Sequence, residues 1–350
     1  MENLKEIVTP LMDWYKKHAR VLPWRDEPDA YRVWVSEIML QQTRVEAVKP
    51  YFQHFLKELP TIQDLAQVEE ERLLKLWEGL GYYNRVRNMQ KAAVMIVEQY
   101  GGKMPSDYEK ILALPGIGSY TAGAIASIAF GIPRPAVDGN VLRVLSRVLK
   151  SYEDIMKQSV RRKMEKEVQA VIPKGHAGDF NQALIELGAI VCVPNGAPKC
   201  QECPLSGMCK ARIDGVAQEL PKKTPPKTRK IEDRTVLVLL SDNKAALNKR
   251  PKKGLLAGLY ELPNLKGHLS QEEVLVFVKQ LKLSPIRIQK LPDAKHIFSH
   301  MEWHMAGYEV KIEEPTQEPE GFFFVEKEQM EERYSIPAAF EAYTEYFKNR

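Results

Sequence analysis

Up to about residue 212, apolar side chains recur at the spacing of helices. Segments 33–40, 72–77, 88–97, 122–129, 141–149 and 180–190 place them three and four positions apart. Glycine and proline punctuate between them, at Gly79-Leu80-Gly81, Gly101-Gly102, Pro115-Gly116 and within 133–139 and 175–178. Residues 1–212 are therefore predicted to form a mainly α domain. The texture then changes. Residues 221–230 hold five basic residues, three prolines and no acid, which predicts a basic, proline-rich linker over 213–231. Beyond it, 235–240 and 245–247 flank the polar Ser241-Asp242-Asn243-Lys244 and predict a hairpin. Segments 308–312 and 322–325 predict further strands, and 271–281 and 337–347 predict helices. Residues 232–350 thus read as an α+β domain.

Composition narrows the class. The 350 residues suit two domains, and 44% apolar with 28% charged residues is ordinary for a globular chain. No stretch approaches the roughly 18 uninterrupted apolar residues of a membrane span. The opening Met1-Glu2-Asn3-Leu4-Lys5-Glu6 lacks the basic flank and apolar core of a secretion signal, so a cytoplasmic protein is expected, and a monomer. A net charge of +5 is compatible with a polyanionic partner without demanding one. All four cysteines lie within the 18 residues from Cys192 to Cys209. In a reducing compartment such crowding points to a metal site rather than to disulfides.

Two carboxylates stand out. Glu37 interrupts Val33-Trp34-Val35-Ser36-Glu37-Ile38-Met39-Leu40, a run that is apolar on nearly every helical face. Burial there would raise its pKa; a buried glutamate paired with an arginine is the structural alternative. Asp138 precedes the 141–149 helix, where it can cap the N-terminus or make an Asp-Gly turn. Amide bonds at a helix start favour the ionised form. One neutral and one charged acid is the combination that glycosidic cleavage needs. Upstream, Ser106-Asp107-Tyr108-Glu109 predicts a helix start with Ser106 as cap and Glu109 reaching back. That helix ends at Leu114-Pro115-Gly116-Ile117-Gly118, and the next begins near Ser119 and Tyr120. Amides of Gly116, Gly118 and Ser119 could hold a phosphate, although a plain helical turn has the same appearance.

The segment from Leu114 to Gly118, followed by Thr121-Ala122-Gly123, resembles the helix-hairpin-helix of the endonuclease III superfamily of DNA glycosylases. Val137-Asp138-Gly139-Asn140-Val141 resembles that superfamily's catalytic aspartate segment. Three more segments narrow the resemblance to MutY-type adenine DNA glycosylases: Leu22-Pro23-Trp24-Arg25, Glu37-Ile38-Met39-Leu40-Gln41-Gln42-Thr43 and Gly79-Leu80-Gly81-Tyr82-Tyr83. The resemblance implies a mainly α helix-hairpin-helix domain with an iron–sulfur cluster, followed by an α+β Nudix-like domain. It also implies hydrolytic release of adenine opposite 8-oxoguanine or guanine in double-stranded DNA. Glu37 would protonate the adenine at N7, and Asp138 would stabilise the cationic sugar. Trp24 and Arg25 would form part of the adenine pocket, and Tyr120, Asn140 and Glu186 would line the site. Gln42, Leu80 and Tyr82 would enter the base stack, with Thr43 beside them. Lyase members of the superfamily carry a lysine where this chain has Tyr120. A phenol forms no Schiff base, so a monofunctional enzyme using water is expected.

The spacing Cys192-x7-Cys200-x2-Cys203-x5-Cys209 contains one close pair, where zinc sites usually show two. It resembles the superfamily's C-x6-C-x2-C-x5-C ligands for one [4Fe–4S] cluster, with an extra residue within 193–199; zinc stays open as an alternative. Lys199 and Lys210 would then lie near DNA phosphates. Residues 251–263 resemble the opening of a Nudix fold. The next helix offers only Glu272 and Glu273 and no arginine, so nucleotide diphosphate hydrolysis is not expected. His296-Ile297-Phe298-Ser299-His300-Met301-Glu302-Trp303 resembles the family's 8-oxoguanine-reading loop, with Phe298, Ser299 and His300 against the oxidised base. A packed hairpin turn is the alternative there. A glycosylase-lyase for oxidised pyrimidines and a non-enzymatic zinc protein that binds DNA are the competing functions.

Overall fold

The computed structural model describes residues 2–225 and 228–348. Its contacts divide the chain into two units, Met1–Gln67 with Arg85–Pro225, and Val68–Asn84 with Pro226–Arg350. This division departs from the linear one in two places. Val68–Asn84 joins the second unit because Glu71 accepts from the Tyr260 hydroxyl at 2.8 Å and pairs with Lys249. In addition, Glu78 accepts from the Ile336 amide at 2.7 Å. Much of the expected linker joins the first unit. There the Arg147 guanidinium donates to the Leu220 carbonyl at 2.9 Å, and Leu220 is buried.

In the first unit, the helices Val8–His18, Gly139–Val148 and Ala177–Ile190 converge on a core that includes Leu11, Leu142, Leu145, Phe180 and Leu184. Helix Ser119–Phe130 packs on helix Ala30–Leu40. Its buried positions are mostly small, at Thr121, Ala122, Gly123, Ala124, Ala126 and Ser127, which lets the backbones approach. Gly123 is the tightest point: a Cβ there would lie 1.9 Å from the Pro135 carbonyl oxygen. All six helical periods are present. Periodicity did not reveal Val45–Glu58, which contains Pro50, or Gln158–Gln169, which buries only Val160, Met164 and Val168. The expected capping box is corrected. The helix is Tyr108–Leu112, and Asp107, not Ser106, caps it by accepting from the Lys110 amide at 3.0 Å.

Among the described residues, seven strands of the second unit form one sheet: β1 Lys230–Ser241, β2 Lys244–Lys249, β3 Tyr260–Glu261, β4 Asn264–Lys266, β5 Pro285–Ile297, β6 Met301–Ile312 and β7 Phe323–Glu326. Their order is β3-β2-β1-β6-β5, with β4 on β1 and β7 on β2. β1 and β6 run parallel. The unbroken apolar run of β1 follows from burial on both faces. Val236, Val238 and Leu240 meet Phe340 and Tyr343, whereas Leu237 and Leu239 meet Val274 and Val278. β5 escaped the pattern because it is an edge strand with few buried positions. On helix Gln271–Gln280, Glu273 is engaged in a capping box with Ser270.

Candidate active site

A cavity of about 650 Å³ lies in the first unit. It is lined by Trp24, Arg25, Glu37, Gln42, Thr43, Tyr120, Asp138, Asn140 and Glu186, which the sequence singled out. It is also lined by Leu22, from the quoted Leu22–Arg25 segment, and by Arg20, Arg161 and Gln182, which the sequence did not single out. Those last three carry no local signature: Arg161 and Gln182 sit on helices Gln158–Gln169 and Ala177–Ile190, and Arg20 lies outside any helix.

Glu37 projects from helix Ala30–Leu40, whose start is fixed by Asp29 accepting from the amides of Tyr31 and Arg32. It is 8% exposed. Burial pushes its carboxyl up to about 7, although the Tyr120 hydroxyl, donating to Oε2 at 2.6 Å, opposes the rise. The nearby charge of Asp138 adds to it. Its hydrogen-bond partner is thus a phenol, not the arginine of the structural alternative. An acid with this pKa is partly protonated at neutrality and can both give and take a proton.

Asp138 caps helix Gly139–Val148. Its Oδ1 accepts from the Val141 amide at 2.8 Å and its Oδ2 from Asn140 Nδ2 at 2.7 Å. The expectation that such bonds would dominate its titration is corrected. Burial outweighs them and the charge of Arg143, so the Asp138 pKa is raised above the ordinary 3.8. Glu186 behaves oppositely. It is fully buried, which pushes its pKa up, but two guanidinium groups reverse the net shift to a lowering. Arg20 Nε donates to Oε1 at 2.7 Å and Arg25 Nη2 to Oε2 at 2.9 Å. Trp24 stands edge-on to Phe52 with centroids 5.5 Å apart.

Gln42 and Tyr82 both have left-handed backbones, with φ of 60° and 46°. Tyr82 is 47% exposed, but Leu80 is only 5% exposed. The expectation that both would be presented is corrected for Leu80: its amide bonds to the Trp77 carbonyl, and the Trp77 indole donates to Gly81, closing the turn. Gly116 has φ of 78°, and a Cβ there would lie 2.6 Å from Asn88 Cβ. Gly118 caps helix Ser119–Phe130, and the Ser119 hydroxyl donates to Glu165 at 3.0 Å.

The four cysteines are free of disulfides and line one small cavity with Leu187 and Leu205. Arg147 Nη1 donates to Cys192 Sγ at 3.2 Å. Loop 193–199 is folded back by the Lys199 amide on the Val191 carbonyl at 3.0 Å. Among the described residues, no three His, Cys, Asp or Glu close on a single-ion position. Arg143, also missed in the sequence, joins Asn140 Oδ1 at 2.8 Å to the Cys192 carbonyl at 2.7 Å.

In the second unit, the β5–β6 turn closes through the Phe298 amide on the Met301 carbonyl at 2.8 Å. Phe298 packs edge-on to Trp303, with centroids 4.9 Å apart. Ser299 and His300 are exposed. No described helix is long and apolar enough to cross a membrane.

Residues 35–170 match the family model of the HhH-GPD superfamily base excision DNA repair protein, and residues 235–346 match the NUDIX domain. The adenine DNA glycosylase of Homo sapiens is 36% identical over 87% of this chain and 67% of its own length. That of Buchnera aphidicola (subspecies Acyrthosiphon pisum) is 34% identical over 84% of this chain and 83% of its own. Among solved structures, a thermostable thymine-DNA glycosylase is 28% identical with a TM-score of 0.54, covering 61% of this chain and 98% of that one. A non-covalent endonuclease III–DNA complex is 26% identical with a TM-score of 0.52, covering 61% of this chain and 97% of that one.

Proposed function

This chain belongs to the adenine DNA glycosylases, which hydrolyse N-glycosyl bonds in DNA, and from that premise we propose how its residues divide the reaction and which mispair it reads. Adenine is a poor leaving group until a ring nitrogen is protonated. Glu37, held near neutrality by burial, delivers that proton to N7. A positioned acid of this kind contributes about 10² to 10⁴ in rate. Asp138, gripped by the Val141 amide and Asn140, places its carboxylate against the cation that develops on the sugar. Tyr120 orients Glu37 and offers no amine for a Schiff base, so water completes the hydrolysis. The Arg20–Glu186–Arg25 array and Trp24 form a rigid wall for the purine. One observation carries the reading: two buried acids, Glu37 bonded to Tyr120 and Asp138 bonded to the Val141 amide and Asn140, line the same cavity.

The same reading assigns the remaining residues. Gln42, Thr43, Leu80 and Tyr82 support the duplex opened by base extrusion, Leu80 doing so only after leaving its buried position. Gly116, Gly118 and Ser119 hold a phosphate at the start of their helix. Phe298, Ser299 and His300 discriminate 8-oxoguanine from guanine opposite the adenine, with 232–350 as the recognition part and 213–231 as the connection. Cys192, Cys200, Cys203 and Cys209 hold one [4Fe–4S] cluster. Four thiols around one common cavity, spaced with a single close pair, suit the cluster better than a zinc site with two close pairs. When bound, the cluster would supply a rigid cross-link for the segment that carries Lys199 and leads to the helix start at Lys210.

The test is incubation with an A:8-oxoguanine duplex and detection of free base, with and without alkaline strand cleavage. Free adenine from the wild type, with strand breaks only after alkali, is expected. Glu37→Gln should lose release at least about 10²-fold while still binding the duplex. Release at the wild-type rate would remove Glu37 from the role of acid.

A further inference from the structure

We propose that Arg85 is a positioning residue that presets Gln42 for entry into the opened duplex; this rests on the role proposed for Gln42 in supporting that duplex. The last carbonyls of a helix have no partner within it, and a cation at the C-terminus satisfies them. Helix Ala30–Leu40, which carries Glu37, has no glycine at its end. Instead the guanidinium Nη1 of Arg85, from helix Asn84–Tyr100, lies 2.7 Å from the Ile38 carbonyl, 3.2 Å from that of Met39 and 2.6 Å from that of Gln41. The pairing joins positions more than forty residues apart in the chain.

The clamp sits directly before a strained residue. Gln42 adopts φ of 60°, the left-handed region that a residue bearing a Cβ avoids. Such a conformation persists only where its surroundings over-determine it. The local bonds are long: the Thr43 amide reaches the Leu40 carbonyl at 3.3 Å, and the Thr43 hydroxyl reaches the Gln41 carbonyl at 3.4 Å. The bond from Arg85 to Gln41 is far shorter than either. Arg85 therefore holds the carbonyl immediately before Gln42 and fixes the direction in which the Gln42 side chain leaves the helix. Gln42 and Glu37 line the same cavity, so one guanidinium sets both the exit of the catalytic helix and the tip beyond it. A lysine in its place would carry the charge without the planar fork.

The test compares wild type, Arg85→Lys and Arg85→Met, each in a Glu37→Gln background for binding and with Glu37 intact for chemistry. Binding to a duplex with 2-aminopurine opposite 8-oxoguanine is read by anisotropy, and extrusion by the fluorescence of the unstacked base. Single-turnover adenine release and thermal melting complete the set. Arg85→Met should bind within about threefold of wild type, yet lose extrusion and release by about ten- to a hundredfold, as expected from losing one or two charge-assisted hydrogen bonds. Arg85→Lys should fall between the two. A purely structural role would instead lower melting in proportion and leave release per folded molecule unchanged, and that result would overturn the proposal. Should Arg85→Met not fold, wild-type extrusion and release in folded Arg85→Lys would overturn it equally. If the wild type itself fails to unstack the base, the reading of Gln42 and the mispair has failed, independently of Arg85.

Discussion

At position 37 the chain keeps a largely buried carboxyl whose charge water solvates poorly. The folded-state pKa of about 7 lies above the ordinary 4.5, so the folded protein binds this proton more tightly than the unfolded chain. The stabilisation that results is complete below pH 4.5 and is lost as pH rises through about 7. Glu37→Gln keeps the shape without the charge. It should therefore unfold with the wild-type free energy near pH 4 and be the more stable protein near pH 8, by up to about 3 kcal/mol. Denaturant melts at the two pH values measure this, and identical differences at both would show that Glu37 is not desolvated. The same group predicts the rate profile. Single-turnover release should fall as pH rises through about 7, where Glu37 loses its proton. It should also fall on the acid side, at a pH above 3.8, where Asp138 gains one. A flat profile across neutrality would disconnect Glu37 from proton transfer.

Helix Ser119–Phe130 does its work by being thin. Its small buried residues bring Tyr120 within 2.6 Å of Glu37, and Gly123 admits the chain at Pro135 that leads into Asp138. Gly123→Ala would press a methyl against a backbone carbonyl, which cannot swing away as a side chain could. A loss of about 1–3 kcal/mol is expected, together with slower base release. Calorimetry with single-turnover kinetics checks both, and wild-type values would show that the contact has room to relax. The helix also marks a limit of pattern reading. Its apolar period was legible, but the reasons for its small residues lay in distant segments, helix Ala30–Leu40 and, for Gly123, Pro135. The Ser106 cap failed for a related cause: Ser106 and Asp107 are both residue types that cap a helix, and only the observed backbone selects Asp107.

Across the whole chain the sheet unit carries the hairpin tip with exposed Ser299 and His300 beside the half-buried Phe298. Replacing all three by alanine should leave adenine release opposite guanine nearly unchanged and reduce the preference for 8-oxoguanine. Parallel rates on the two duplexes measure this, and an unaltered ratio would take the tip out of lesion reading. The sequence by itself determined the helical periods, the β1–β2 hairpin, the four-cysteine spacing and the two carboxylates, because each is written in neighbouring residues and their local chemistry. Only the tertiary structure decided the rest. It placed Val68–Asn84 with the second unit and drew Arg20, Arg161 and Gln182 into the cavity. It also raised the Asp138 pKa through burial and tied the end of the helix that carries Glu37 to Arg85. Burial and long-range hydrogen bonds depend on which distant segments meet, and no spacing within one segment encodes that.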